Sequence, residues 1–319
     1  MLHGDRLAGG LEGLLIGDAL GVPYEFHPPR SLPPMAQIDM DPPAGFQRAH
    51  AGTPPGTWSD DGAQALCLLA SLLAHGKLRL VDFAQRLVNW ADWGYMAVDG
   101  RVFDIGVQTR QAIDALRSGV SPKEAGPAGE YANGNGALMR VLPLALWHTG
   151  SDGQLIAMAA RQSLPTHGHA RSAVACAMLC LWARAELYVK TQTWSYAASL
   201  LRGMGPSAGL PTDEIEHVLS PAHRERAGGS GYVLDTLWSA RVAIEDTGNY
   251  ADAVRWAVAL GHDTDTTAAV TGGIAGIRYG LEGIPIDWRQ RLRGRELLDP
   301  LKQQLLHHAA IEGAPDPLA

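Results

Sequence analysis

Cysteine is scarce in this chain: Cys67, Cys176 and Cys180 are the whole complement in 319 residues. So few, so spaced, they exclude a disulfide framework and a zinc site. Cys176 and Cys180, four apart in an apolar segment, read as small core residues. Positive charge is also short. Lys and Arg number 26 against 33 Asp and Glu, a formal net charge of −7, so the basic footprint that a nucleic-acid surface requires is missing. A single small phosphate ligand in a pocket remains compatible with that charge. No apolar run is long enough to span a bilayer, and residues 1–6 lack the basic start and apolar core of a signal peptide. The expectation is a soluble, cytoplasmic protein with no membrane partner, its oligomeric state left open. Strand-like alternation and dense β-branching are sparse, and no repeat of fixed period is visible.

What is present is helical periodicity in a chain that is 46% hydrophobic. It runs over residues 7–20, 63–73, 81–93, 103–116, 172–187, 213–218, 232–245, 251–259, 268–279 and 292–308. About a dozen helices of ordinary length are expected. The fold class is therefore all-α, with residues 1–319 forming a single compact multi-helix (orthogonal bundle) domain.

Acids and hydroxyls concentrate ahead of two of these helices. Gly261-His262-Asp263-Thr264-Asp265-Thr266 precedes a run of small apolar residues. Asp263 and Asp265 are two apart and share no helix face, so they belong to a loop or a first turn. One reading is a helix N-terminus with Asp265 or Thr266 as N-cap. A cap uses one carboxylate, however, and this cluster offers more hard oxygen donors, of the kind that suit Mg²⁺, Mn²⁺ or Ca²⁺. Thr57-Trp58-Ser59-Asp60-Asp61 repeats the pattern some two hundred residues earlier. Two separated acidic segments are what a two-metal site needs.

Other stretches are less specific. Asp18 is a charge in an apolar helix, either an acceptor for nearby backbone N–H groups or a functional acid. Glu25 follows a proline-ended helix among aromatic neighbours, where desolvation can tune a carboxyl. Residues 27–57, rich in proline and glycine, read as a lid or binding loop. Asn133-Gly134-Asn135-Gly136 permits close backbone approach and could cradle a phosphate, or could be a tight interhelical turn. His167 and His169 could bind a metal, contact a ligand or line the surface.

Taken together, Gly17-Asp18-Ala19-Leu20-Gly21 with Glu25, Trp58-Ser59-Asp60-Asp61, Asn135-Gly136-Ala137-Leu138-Met139-Arg140, Thr166-His167 and Gly261 to Thr266 resemble the ADP-ribosylglycohydrolase family, in order and along nearly the whole chain. The resemblance implies an all-α hydrolase with a di-metal cleft that removes ADP-ribose from a modified protein side chain or small molecule. It implies two Mg²⁺ or Mn²⁺ ions, with Ser59, Asp60, Asp61, Asp263, Asp265 and Thr266 as ligands and Asp265 as bridge. Glu25 would act at the scissile bond, and Asn135, Gly136 and His167 would contact ADP-ribose. Two positions depart from the family pattern: Ser59 stands where threonine is usual, and Gly62 where a small hydroxyl residue is usual. Two other readings stay open: a metal-dependent phosphohydrolase built on His167, His169 and His262-Asp263, and a non-catalytic ADP-ribose-binding relative. All six ligand positions retain an oxygen donor, which weighs against loss of function.

Overall fold

The computed structural model describes residues 2–188 and 191–312, with only the backbone of residue 312. In chain order the helices are α1 (His3–Gly21), α2 (Asp60–His75), α3 (Leu80–Trp93), α4 (Val107–Arg117) and α5 (Leu142–Trp147). Then come α6 (Asp152–Ser163), α7 (Ala170–Tyr188), α8 (Thr193–Met204), α9 (Thr212–Val218) and α10 (Val233–Asp246). The last four are α11 (Tyr250–Ala259), α12 (Thr264–Tyr279), α13 (Ile286–Arg291) and α14 (Arg295–Glu312). Among the described residues there is no strand, only one isolated bridge between Gly134 and Tyr232. The fold is all-α.

Helix α1 is apolar around its circumference, and every residue from Leu7 to Gly21 is buried, as expected for a helix enclosed by others. Gly9, Gly13, Gly17 and Gly21 recur every fourth residue and so share one face. That face lies antiparallel along α12. A Cβ at Gly9 would overlap the carbonyl of Gly276, at Gly13 that of Gly272, at Gly17 that of Ala268, and at Gly21 the backbone of Thr264 and Asp265. Only glycine lets two helix backbones touch in this way. Tyr250 of α11 locks the pair by donating its hydroxyl to Gly13 O at 2.7 Å. Around it, α10 and α11 pack on α12, α6 and α8 pack on α7, and α2 packs on α3 and α5. The close approach of α1 and α12 brings Asp18 next to the start of α12, and that is where the site is built.

The structure departs from the sequence periodicity in several places. Residues 103–106 are not helical: Asp104 has a left-handed backbone (φ 55°) and α4 begins after Gly106. The run 292–308 starts late: residues 292–294 are not helical and α14 begins after Gly294 (φ 68°), whose missing side chain makes room for the Trp58 ring. Four helices escaped the periodicity: α5, α6, α8 and the six-residue α13. Helix α5 is only a turn and a half; α6 and α8 are amphipathic but flanked by polar residues, and α6 opens with a capping box made by Ser151 and Gln154.

Candidate active site

The N-termini of α2 and α12 meet at the end of α1. Ser59 occupies the N-cap position of α2, where its Oγ receives the amide of Asp61 and donates to Asp61 Oδ2 at 3.1 Å. Asp60 and Asp61 fill the first turn, where the helix dipole favours negative charge. Asp18 reaches across from α1 and accepts the backbone N–H groups of Ser59 at 2.9 and 3.0 Å and of Gly62 at 2.8 Å. Of the two roles open to Asp18, the structure thus shows the acceptor of backbone N–H groups. Gly62 packs against α1, since a Cβ there would come within 2.6 Å of Leu15 Cδ2 and 2.8 Å of Trp58 Cγ. The hydroxyl missing at this position therefore coincides with tight packing of the α2 N-terminus.

On α12 the cap position belongs to Asp263, whose side chain makes no cap hydrogen bond. Capping by Asp265 or Thr266 is thus not what the structure shows; both lie inside the first turn. Thr266 Oγ1 donates to Asp61 Oδ2 at 3.3 Å, joining the two helix starts. Thr264 points away and donates to Gly21 O at 2.8 Å. Asp265 Oδ1 accepts the amide of Thr266, whereas Asp265 Oδ2 and Asp61 Oδ1 are buried without any hydrogen-bond partner. Buried carboxylate oxygens left unpaired are costly. Their disposition fits a cation.

Carboxylates gather in two groups that share Asp265: Asp18, Asp61 and Asp265, and Glu25, Asp263 and Asp265, each with ligand atoms within 4.8 Å of one another. Asp60 stands apart from both; its Oδ2 accepts from Gln64 Nε2 at 3.1 Å, and Gln64 Oε1 in turn accepts from the buried Arg140 at 2.9 Å. Burial, followed by repulsion between neighbouring acids, raises Asp60, Asp61 and Asp265 well above the usual carboxylate range. Removing charge, or adding a cation, relieves the same strain.

That balance predicts a pH-dependent response to Mg²⁺. Because these acids have folded-state pKa values above their unfolded ones, their favourable contribution is complete below the unfolded value and is lost as pH rises through the folded values. The metal-free protein is therefore penalised at higher pH, while the ligands become available for cation binding. The rise in melting temperature on adding Mg²⁺ should be larger at pH 8 than at pH 5.5. A shift of equal size at both values would contradict cation binding by these carboxylates.

Glu25 follows the single 3-10 turn Val22–Tyr24 that continues from α1. Burial, then the charges of Asp104, Asp263 and Asp61, push its carboxyl up to about 10. Its Oε2 lies 2.6 Å from His50 Nε2, a contact supplied by the long loop 27–57. Backbone bonds tie this segment to the α12 start: Phe26 N donates to His262 O and His262 N to His27 O, both at 2.7 Å. Phe26 and His262 both adopt left-handed backbone, φ 64° and 62°. Asp104, in the non-helical turn before α4, faces Glu25 and His50. Neither Asp104 nor His50 was singled out from the sequence. Asp104 was absorbed into a helical pattern, and the only signal against that was Gly106 two residues later.

A cleft of about 750 Å³ opens beside these groups, lined by Glu25, Phe26, Asp60, Asp104, Asn135, Gly136, His167, Asp263 and Thr266 among others. Its size suits a small-molecule ligand. Both N–H bonds of the Asn135 amide are committed, to Thr236 Oγ1 and to Asp263 Oδ2 at 2.8 Å each. Asn135 therefore aims Asp263 as well as lining the cleft. Gly136 lies against His167, where a Cβ would come within 2.9 Å of the ring. Desolvation, then the charge of Arg140, brings His167 down to about 3, so the imidazole is neutral, with Nδ1 paired to Thr166 Oγ1 at 2.8 Å. His169 goes elsewhere; its Nδ1 receives the amide of Arg171 at the start of α7. His262 is exposed, and no histidine of the phosphohydrolase reading enters a metal-competent group among the described residues.

An all-α scaffold carrying buried carboxylates at two helix N-termini, on the wall of an open cleft, defines a helical hydrolase with an acidic, cation-compatible centre. The chain belongs to the ADP-ribosylglycohydrolase family, whose model matches residues 2–314. It is 33% identical over 309 residues to the ADP-ribosylarginine hydrolase Tri1 of Serratia proteamaculans (strain 568), covering 97% of this chain and 81% of that one. It is 29% identical over 297 residues to the ADP-ribosyl-[dinitrogen reductase] glycohydrolase of Rhodospirillum rubrum, covering 90% of each. It is 27% identical over 349 residues to the human ADP-ribosylhydrolase ARH3, covering 94% and 92%. A solved structure titled ADP-ribosylglycohydrolase-related protein complex superposes with a TM-score of 0.76 at 31% identity, over 96% of this chain and 99% of that one. The family is metal-dependent, and the acidic groups here could hold metal. The phosphohydrolase reading is set aside. Among the described residues no helix is long and apolar enough to cross a membrane.

Proposed function

We propose that this chain hydrolyses the bond between ADP-ribose and a modified arginine, releasing ADP-ribose, with two Mg²⁺ or Mn²⁺ ions held by Ser59, Asp60, Asp61, Asp263, Asp265 and Thr266. The observation that carries the reading is the pair of carboxylate groups sharing Asp265, with one oxygen each of Asp61 and Asp265 buried and unpaired. Two sets with one common member support two ion positions bridged by Asp265. Arginine is favoured by the 33% identity to the ADP-ribosylarginine hydrolase Tri1 of Serratia proteamaculans. Residues 1–319 act in this reading as one domain, and the three buried free thiols suit a cytoplasmic location.

The reaction breaks the bond from the anomeric carbon to the acceptor nitrogen and forms one to a water oxygen, through an oxocarbenium-like state. When bound, the ions would hold the ribose hydroxyls and lower the pKa of a water. Glu25, whose carboxyl is raised by burial and neighbouring acids, is the group assigned to protonate the leaving nitrogen. The acids around it stabilise positive charge that develops on the sugar ring. Neutral His167 and the backbone of the turn at Gly136 offer contacts to the diphosphate and ribose without adding charge.

The test is incubation of the protein with arginine-linked and serine-linked ADP-ribosyl peptides, with Mg²⁺, with Mn²⁺ or with a chelator, and quantification of the products. Metal-dependent release of ADP-ribose from the arginine-linked peptide is expected. Release from the serine linkage alone would refute the acceptor, and full activity in chelator would refute the ions. Tight binding of ADP-ribose without turnover would favour the non-catalytic relative.

A further inference from the structure

The side of the cleft that meets the acceptor has a composition of its own. Phe26 is 67% exposed at the cleft wall, an unusual exposure for a large apolar ring, and it immediately follows Glu25. Its left-handed backbone is unfavourable for a bulky residue and persists only where the surroundings impose it. Here the bonds to residue 262 impose it. Behind Phe26 the row continues, with His50 at 5.6 Å between ring centroids and Phe103 at 5.0 Å beyond His50. Two carboxyls, Glu25 and Asp104, lie within 4.8 Å of His50 and of each other, measured between their polar atoms. An exposed aromatic face attracts cations through the ring quadrupole, and the carboxyl oxygens of Glu25 and Asp104 beside it can accept N–H groups in either protonation state. A planar, weakly hydrated cation gains most, because it can stack on the ring while its N–H groups face the acids.

We propose that Phe26, backed by His50 and Phe103 and bordered by Glu25 and Asp104, is the specificity surface that selects a guanidinium as the acceptor. The inference rests on the hydrolase reading above and adds the residues that read the acceptor. An uncharged acceptor of similar shape, such as a hydroxyl-linked one, finds the same ring but none of the charge attraction.

The test measures inhibition of ADP-ribose release from an arginine-linked peptide by methylguanidinium, methylammonium and uncharged methylurea, which probe the acceptor side of the cleft. In the parent protein methylguanidinium should inhibit at about tenfold lower concentration than methylurea, the size a cation–π contact supports. Methylammonium should fall between them. In Phe26→Ala the gap should shrink to about twofold or less, and KM for the arginine-linked peptide should rise more than kcat falls. Phe26→Tyr, which keeps a π face, should restore both. Saturation-transfer NMR of methylguanidinium with ADP-ribose-loaded protein gives a readout independent of turnover, and melting curves check that the variants fold. Equal potency of the three probes in the parent, or an unaltered gap in Phe26→Ala, overturns the inference and leaves the hydrolase reading standing. Failure of the parent to release ADP-ribose from the arginine linkage overturns the arginine acceptor, and this inference with it.

Discussion

Asp265→Ala should abolish metal-dependent release of ADP-ribose, lowering kcat/KM by at least roughly a thousandfold. The size follows from the several kcal/mol of transition-state charge stabilisation that bound metal supplies, at about 1.4 kcal/mol per factor of ten. Asp265 is the shared member of both carboxylate groups, so its loss strikes both at once. Stability should move the other way. The carboxyl is raised well above its usual range by burial and by Glu25, Asp104, Asp61 and Asp263 around it. Removing it relieves repulsion in the metal-free protein. The shape-preserving Asp265→Asn should therefore melt no lower than the parent without metal, yet gain little on addition of Mg²⁺ or Mn²⁺. Full activity of a folded Asp265→Ala would remove this residue from the chemistry.

The largest effect on folding is expected at the α1–α12 contact. Gly17→Leu places a branched side chain where even a Cβ overlaps the carbonyl of Ala268. No rotamer escapes, because the obstacle is backbone of a buried helix. Separating the helices would also uncover the leucines of α1 that are buried around this axis. The loss should exceed about 4 kcal/mol, the range reserved for gross overpacking and similar defects. Chemical denaturation of the metal-free protein measures it. Gly17→Ala is the milder control, and since its Cβ alone already meets backbone it too should lose stability, unlike Gly→Ala at an open helical position. An unchanged midpoint for Gly17→Leu would contradict direct backbone contact between α1 and α12 at Gly17.

Both predictions act on the same structural link. The glycine face of α1 sets how closely α12 approaches, and Asp18 and Asp265 face each other only because of that approach. Stability of the pair and geometry of the carboxylates are therefore coupled, and milder substitutions at Gly13 or Gly21 should weaken the response to Mg²⁺ as well as the fold.

The sequence by itself determined the class of the fold and the chemistry of the centre. Helical spacing of apolar residues is a local property, and it carries the all-α reading because each helix must bury one face. Hydroxyl and acid side chains just ahead of helices at Ser59–Asp61 and Asp263–Thr266 are local too, and their placement at helix starts is visible without a partner. That Thr264 faces away follows from its position between Asp263 and Asp265, and its bond to Gly21 O agrees.

Only the tertiary structure decided which of these groups meet. Asp18 turned out to hold the α2 N-terminus, Asn135 to aim Asp263, and Gln64, itself held by Arg140, to orient Asp60. Apart from Asp60 and Gln64, one helical turn apart on α2, these are pairings between residues tens to more than a hundred apart, and no periodicity encodes them. Asp104 and His50 were hidden for a related reason. One sits in a left-handed turn inside an apparently helical run, the other in an aperiodic loop, and both gain meaning only from their distance to Glu25. The four-residue spacing of glycines in α1 was printed in the chain, but its consequence needed the opposing face of α12. A missing side chain is informative only when something fills the space it leaves.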